Sequence, residues 1–148
     1  GNPMRYLLDA SALLPLITRR GKLLISEASR ANLATTDLAI YEACNSLWKL
    51  ASLLKFLSLD DALDVARILE DLVTRGIIQP IDFAKLNLSG TLKIAYMESL
   101  TFYDTSYIMI AKNAEAVLVT EDEQLQKAAK KFVKAITYSD LESKLTQA

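Results

Sequence analysis

The sequence predicts an α/β fold: a three-layer α/β/α sandwich around a central, mainly parallel sheet of about five short strands. The chain has 148 residues, the length of one ordinary domain. Hydrophobic residues make up 51% and charged residues 24%, which supplies an ample core. Short apolar runs alternate with longer amphipathic segments, as in parallel sheets covered on both faces by helices. We expect a single domain over residues 4–145, and residues 1–3 ahead of Met4 resemble an expression remnant.

Five short apolar runs are the predicted strands. The first, RYLL, is followed by Asp9, and the fourth, AVLVT, is followed by Glu121 and Asp122. Each run is too short for a typical helix and is bounded by polar or turn-forming residues, which favours a buried strand. In chain order the predicted strands are residues 5–8, 31–36, 77–81, 116–120 and 134–137.

Two long amphipathic segments between the second and third strands are predicted helices. Residues 38–56 carry apolar side chains at three- and four-residue spacing, and Asp37 stands where a helix N-cap is expected. Residues 58–76 begin with Ser58 and Asp61, an S-x-x-D pattern that resembles a capping box.

The remaining segments are shorter predicted helices. Gly76 is a favourable residue for ending the second long helix. Residues 83–100 are predicted to be helical, with a possible break at Ser89–Gly90. The other predicted helices are residues 11–17, 21–30, 105–115, 122–132 and 139–145.

The composition excludes several classes of chemistry. The chain has no histidine, which removes Ser-His-Asp and Cys-His catalysis and histidine-ligated zinc. Its four glycines form neither a GxGxxG nor a GxxxxGK[ST] loop. The formal net charge of −1 gives no general basic surface, so nucleic acid would need a local patch or metal ions. Chemistry here must depend on carboxylates, hydroxyls and lysines.

Compartment signals in the sequence are weak. Cys44 is the single cysteine and cannot form an internal disulfide, so we expect a cytoplasmic protein. No apolar run approaches the about 20 residues that a membrane-spanning helix needs, so no membrane partner is expected.

Polar side chains follow two of the predicted strands. Asp9 and Ser11 come after the first strand, and Thr120 and Asp122 lie at the end of the fourth. Open α/β sheets bind ligands beyond the carboxyl ends of their strands. We therefore expect these side chains to meet at one edge of the sheet.

Two further acids, Glu42 and Asp104, lie on predicted helices with apolar neighbours. A lone ion is costly in such surroundings unless it is paired or binds a metal. Lysine and arginine are scarce near these acids, and clustered carboxylates raise one another's pKa. A divalent cation would relieve that repulsion, and oxygen-only ligation favours Mg²⁺ or Mn²⁺.

Each acid also has a purely structural explanation. Asp104 and Asp122 could be helix N-caps, and Asp9 with Ser11 could form a turn that ends a strand. Glu42 is the acid that capping does not require. Taken together, and without histidine, the four acids favour a metal site.

Four motifs resemble those of the PIN-domain family, and within it the small VapC-like toxins of type II toxin–antitoxin pairs. LLDASAL resembles the opening strand with its D-x-[ST/N], and YEACNSLWK resembles the E-x-x-N helix. TFYDTSYIMIAK resembles Y-D-x-x-Y-x-x-x-A, and VLVTEDEQL resembles T-x-D-x-x-L. The four occur in the family's order, and the resemblance extends from Met4 to about Leu145.

The resemblance implies a PIN-like fold and an endoribonuclease that cleaves RNA by metal-activated water, with Mg²⁺ or Mn²⁺ as cofactor. It implies an acidic cluster in which Asp9 and Asp104 are the most direct metal ligands. Glu42 and Asp122 would lie nearer a second metal or an outer shell.

The resemblance gives three residues supporting roles, and four basic residues are possible RNA contacts by their positions in the sequence. The side chains expected to support the carboxylates through hydrogen bonds are Ser11, Asn45 and Thr120. The possible RNA contacts are Arg19, Arg20, Lys22 and Lys49, which could equally form an ordinary solvated surface.

The resemblance also implies partners: a cognate antitoxin protein and a second copy of the chain in a homodimer. Apolar residues between positions 38 and 76 could supply such surfaces or belong to the core. Two alternatives stay open, a PIN-domain nuclease for RNA processing and a PIN-like binding scaffold that does not cleave. The presence of all four acids argues against the scaffold.

Overall fold

A five-stranded parallel sheet forms the centre of the computed structural model, which describes residues 3–147. Gly1 and Asn2, part of the expected expression remnant, lie outside the described residues. Every hydrogen-bonded pair of strands is parallel, which confirms the predicted sheet. The strands are β1 (Arg5–Leu8), β2 (Asn32–Thr36), β3 (Ile78–Ile81), β4 (Val117–Val119) and β5 (Ala135–Ile136).

Helices connect the strands and cover the sheet, giving the predicted three-layer sandwich. The α-helices are α1 (Ala10–Arg19), α2 (Leu24–Glu27), α3 (Asp37–Trp48), α4 (Leu59–Thr74), α5 (Leu88–Glu98), α6 (Phe102–Asn113), α7 (Glu123–Ala129) and α8 (Tyr138–Leu145). Short 3-10 turns occur at Gly21–Leu23 and Phe83–Lys85, and a π-helical turn spans Lys49–Leu53. No helix in the described part of the chain combines the length and apolar character needed to cross a membrane.

The order of the strands fixes where a binding cleft can form. The order is β3-β2-β1-β4-β5, so the chain moves outward from β1 in one direction and later resumes on the other side at β4. Ligand sites of open α/β sheets lie at such a switch point, beyond the carboxyl ends of the strands. Leu8 pairs with Val119, so the residues that follow them, Asp9 and Thr120, are neighbours.

The central strands are buried on both faces, which explains their continuous apolar sequences. Leu7 and Leu8 of β1 and Leu118 and Val119 of β4 are all 0% exposed. Asp9 and Thr120 directly follow these fully buried residues, so the positions of both are held by the core.

Two helix starts differ from the sequence-based expectations. Thr36 is the N-cap of α3, since its side chain accepts a hydrogen bond from the Ala39 N–H, and Asp37 is the first helical residue. Helix α6 begins at Phe102, earlier than expected, because Thr101 caps it. Threonine is one of the residues preferred at the N-cap, and in both helices it precedes the aspartate that the sequence suggested.

The long helix expected over residues 38–56 is shorter than predicted. Its α-helical part ends at Trp48, and the π-helical turn Lys49–Leu53 follows. Lys55 then has a positive φ of 56°, which ends helical geometry. The apolar spacing continued through this region, so the sequence pattern did not show the change.

The boundaries around α4 and α5 are partly as expected. Ser58 caps α4 by accepting a hydrogen bond from the Asp61 N–H, and Gly76 follows the helix with a positive φ of 75°. The interruption expected at Ser89–Gly90 occurs earlier, because Asn87 caps α5.

Candidate active site

Asp9 is the most deeply buried acid at the carboxyl edge of the sheet, with only 4% of its surface exposed. It is the N-cap of α1 and accepts hydrogen bonds from the Ala12 N–H at 3.0 Å and the Ser11 hydroxyl at 2.7 Å. The Thr120 hydroxyl donates to its other oxygen. Burial raises the pKa of Asp9, the three hydrogen bonds oppose that rise, and the charge of Asp104 adds to it.

Hydroxyls join the ends of β1 and β4 around this carboxylate. Thr120 is 0% exposed, and its oxygen also accepts a hydrogen bond from the Asp122 N–H at 3.0 Å. The Ser11 hydroxyl accepts one from the Glu121 N–H at 2.9 Å. Together these bonds fix the position of the Asp9 carboxylate and the path of the chain after β4.

Asp104 lies in the first turn of α6 and is half-buried. Its N–H donates to the Thr101 hydroxyl at 3.0 Å, so Asp104 is not the N-cap that its sequence position suggested. Partial burial raises the pKa of Asp104, and the negative charges of Asp122 and Glu42 raise it further. The carboxylate therefore lies within electrostatic reach of two other members of the predicted cluster.

Glu42 projects from α3 and is held by a tyrosine from another helix. The Tyr107 hydroxyl donates to its Oε1 at 2.6 Å, and burial together with this bond raises the pKa of Tyr107. Glu42 itself is exposed, so the expectation of a buried charge at this position was wrong. Tyr107 was visible in the Y-D-x-x-Y spacing, but the sequence did not show which acid it would hold.

Asp122 caps α7, and its Oδ1 accepts a hydrogen bond from the Leu125 N–H at 3.0 Å. The preceding Glu121 side chain instead accepts from the Tyr138 N–H at 2.7 Å. Of these two neighbouring acids, only Asp122 lines the cleft that contains the other carboxylates.

One open cleft of about 600 Å³ brings the four predicted acids together. They come from four different places in the chain: the end of β1, helix α3, helix α6 and the start of α7. Among the described residues, the walls of this cleft include no lysine or arginine. The lining residues are Asp9, Ala10, Ser11, Leu14, Leu38, Tyr41, Glu42, Asn45, Ser46, Tyr103, Asp104, Tyr107 and Asp122.

The donor chemistry of the cleft fits a hard divalent cation that retains water. Within residues 3–147, no three acidic or thiol side chains are arranged to hold an ion by themselves. Mg²⁺ commonly binds through one or two carboxylates and keeps several waters, so a complete protein cage is not required. Burial is the main cause of the raised pKa of Asp104, and a divalent ion would relieve the repulsion by Asp122 and Glu42 that raises it further.

The four basic residues suggested as RNA contacts lie elsewhere, since none lines the cleft. Arg19 forms a two-bond ion pair with Glu142, at 2.9 and 2.8 Å. Arg20 forms an ion pair with the buried Glu27. The other two residues, Lys22 beside α4 and Lys49 in the π-helical turn, also lie outside the cleft.

Comparison with known proteins identifies the family. The model of the PIN domain matches residues 6–131. The chain belongs to the PIN domain family. Exonuclease VapC9 from Pyrobaculum aerophilum is 36% identical over 129 residues, covering 83% of this chain and 84% of that protein. Ribonuclease VapC3 from the same organism is 30% identical over 139 residues, covering 90% of this chain and 99% of that protein.

Solved structures share the fold. PAE2754 from Pyrobaculum aerophilum superposes with a TM-score of 0.74 at 31% identity, covering 97% of each chain. A chain of DNA-bound VapBC from Salmonella typhimurium superposes with a TM-score of 0.62, covering 91% of this chain and 98% of its own. Its 13% identity supports likeness of fold alone.

Proposed function

We propose that this PIN domain is a Mg²⁺- or Mn²⁺-dependent endoribonuclease and the toxin of a VapBC pair. The observation that carries the proposal is the convergence of Asp9, Glu42, Asp104 and Asp122 on one cleft. The names of the two relatives, one an exonuclease and one a ribonuclease, support nucleic-acid hydrolysis.

Each acid has a distinct part in the proposed mechanism. Asp9 and Asp104 would hold the cation most directly, and Glu42 and Asp122 would lie nearer a second metal or an outer shell. A bound divalent ion would lower the pKa of a water molecule and neutralise phosphate charge, so no histidine base is needed. Thr120 donates to Asp9 and favours its ionised form.

Hydrogen bonds from neighbouring side chains keep the acids oriented. Ser11 donates to Asp9, and Tyr107 donates to Glu42. Asn45 lines the same cleft one helical turn from Glu42, where its amide can bind water or phosphate oxygen. Such outer partners usually contribute strongly to metal affinity.

The open shape of the cleft supports internal cleavage rather than removal of terminal nucleotides. The cleft is open, so a strand can cross it without inserting a free end. A circular single-stranded RNA has no ends, so its conversion to linear RNA tests this directly. Digestion of linear but not circular RNA would contradict the endonuclease assignment.

The proposed partners are RNA, an antitoxin and a second copy of the chain, in the cytoplasm. A groove of about 440 Å³ between α3 and α4 includes the exposed side chains of Trp48, Leu59 and Leu63, which could accept an apolar antitoxin segment. Exposed Leu92 and Tyr96 on α5 offer a separate apolar surface for a homodimer. An RNA-processing nuclease would share the chemistry without needing the antitoxin groove.

Metal-dependent cleavage in an Asp104→Asn variant tests the nuclease proposal. Purified protein is incubated with labelled RNA and Mn²⁺, Mg²⁺ or EDTA. Asp61→Asn is the matched control, because Asp61 occupies the same helix position as Asp104 and its N–H also donates to a capping hydroxyl at 3.0 Å.

We expect cleavage by the wild type and Asp61→Asn only with metal, and none by Asp104→Asn. Equal activity in all three proteins would indicate a contaminating nuclease. Loss in both variants would show that the helix position, rather than the cleft charge, is responsible.

A further inference from the structure

Two exposed tyrosines stand in the walls of the acidic cleft. Tyr41 is 76% exposed and Tyr103 is 62% exposed, and both line the cleft. Three other tyrosines are almost completely buried: Tyr6, Tyr107 and Tyr138, each 4% exposed or less. Large aromatic rings left in water beside a candidate site suggest a binding role.

Helical spacing places the ring of Tyr41 on the face of α3 that lines the cleft. Leu38, Tyr41, Glu42 and Asn45 follow the i, i+3, i+4, i+7 pattern, and all four line the cleft. The ring of Tyr41 therefore lies on the same helix face as the carboxylate of Glu42.

Helix α6 repeats the arrangement on another wall. Tyr103 directly precedes Asp104, as Tyr41 precedes Glu42, and Tyr107 lies one turn further on. Tyr107 is buried and bound to Glu42, whereas the hydroxyls of Tyr41 and Tyr103 make no hydrogen bond within the described part of the chain. The two exposed rings are thus not needed to fix the acids.

An apolar pocket of about 300 Å³ adjoins the cleft at Tyr103. Leu38 and Tyr103 belong to the walls of both spaces, and Phe83 and Phe102 line the pocket. A flat apolar group held against Tyr103 could therefore continue into this pocket while a charged group stays near the acids.

We propose that Tyr41 and Tyr103 are stacking platforms for unpaired bases on either side of the cleaved phosphate. This inference rests on the proposed nuclease function. Within residues 3–147, no lysine or arginine lines the cleft, so its walls supply no direct cation for the phosphates. Aromatic faces bind bases of any sequence, whereas bases paired inside a duplex cannot reach them.

The first test compares cleavage kinetics among matched variants. Tyr41→Ala and Tyr103→Ala remove a ring, Tyr41→Phe and Tyr103→Phe keep it, and Phe56→Ala removes a ring that is 79% exposed outside the cleft. Each alanine variant should raise KM for single-stranded RNA by about 5- to 100-fold with little change in kcat. The phenylalanine variants and Phe56→Ala should resemble the wild type.

Abasic RNA then identifies the stacked bases. Removing the base beside the cleaved phosphate should raise KM for the wild type but have little further effect on the matching alanine variant. If removing the base and removing the ring raise KM by independent factors, the ring and the base are not in contact. Equal losses in the phenylalanine variants, or equal cleavage of duplex RNA, would also overturn the inference.

Direct binding separates this inference from the nuclease proposal. Fluorescence anisotropy of a labelled single-stranded RNA is measured with Ca²⁺ in place of Mg²⁺, alongside light scattering to follow oligomeric state. If RNA binding depends on the tyrosine rings but no metal supports cleavage, the stacking inference holds and the nuclease proposal is refuted. Absence of ring-dependent binding, or a Tyr103→Ala defect explained by lost self-association, would refute the platforms.

Discussion

The hydrogen bond from the Thr120 hydroxyl to Asp9 tests how the fold stabilises a buried carboxylate. Thr120→Val keeps the side-chain shape but removes the donor to Asp9 and the acceptor for the Asp122 N–H. A hydrogen bond to a charged group contributes about 1.5–3 kcal/mol, and the lost amide contact adds to this. We expect the free energy of unfolding to fall by about 2–4 kcal/mol.

Thr35→Val is the matched control. Thr35 is also 0% exposed and lies at the carboxyl end of the neighbouring strand β2, but its hydroxyl donates to the Leu8 carbonyl at 2.8 Å. Losing this neutral bond should cost about 1 kcal/mol. In a domain of this size each kcal/mol lowers Tm by about 3 °C, so the two variants should differ clearly.

The dependence on pH distinguishes the two variants further. Burial raises the pKa of Asp9 in the folded state, so folding stability is lost as pH rises through that pKa. Thr120→Val raises the folded pKa further and deepens this loss. In EDTA, its deficit should be largest at pH 8 and shrink towards about 1 kcal/mol in acid, where Asp9 is protonated.

Urea unfolding at several pH values measures these differences. Thr120→Ser should recover most of the stability because it restores a hydroxyl. A deficit in Thr120→Val that does not change with pH, or that equals the deficit of Thr35→Val, would refute the argument that the bond stabilises a buried carboxylate.

Three other changes test separate features. Asp104→Asn should raise Tm by about 1–3 °C in EDTA at neutral pH, with the gain vanishing in acid, because it removes a charge whose raised pKa shows that folding disfavours it. Tyr107→Phe should lower kcat/KM about 10- to 100-fold by releasing Glu42, while unfolding free energy changes by less than about 1.5 kcal/mol. Glu27→Gln should cost about 2–4 kcal/mol in urea unfolding, since it leaves the charge of Arg20 without its buried partner.

Each of these has a clear contrary result. A lower Tm for Asp104→Asn in EDTA would show that the carboxylate stabilises the fold. Unchanged kcat/KM in Tyr107→Phe would remove any role for that hydroxyl in placing Glu42. A loss below about 1 kcal/mol for Glu27→Gln would mean that the ion pair behaves like a surface contact.

The central strands β1 and β4 were predictable because parallel strands buried on both faces have continuous apolar sequences. The end of β1 was equally clear, since Asp9 interrupts its run, whereas β4 ends at Val119, one residue before the predicted end at Thr120. Meeting of these two residues follows from the sheet order, which places β4 beside β1. Neighbouring strands then bring together side chains that are 111 positions apart.

Helix ends and side-chain partners were less accessible. The N-caps of α3 and α6 are Thr36 and Thr101, whereas the sequence suggested the aspartates that follow them. Several residue types near a helix start can occupy the N-cap position, so the sequence alone does not decide between them. The π-helical turn after Trp48 has no separate sequence pattern. The exposure of Glu42 and its bond to Tyr107 depend on how α3 and α6 pack, which local spacing does not specify.

The double position of Asp9, as helix cap and cleft acid, has a consequence for genetics. Cells selected for survival of a harmful protein accumulate mutations that abolish its effect. Substitutions at Asp9 that also lose the cap should act by depleting the folded protein, whereas those at Asp104 should leave abundant, inert protein. Immunoblots of surviving cells would therefore separate inactive alleles with little protein from inactive alleles with normal amounts of protein.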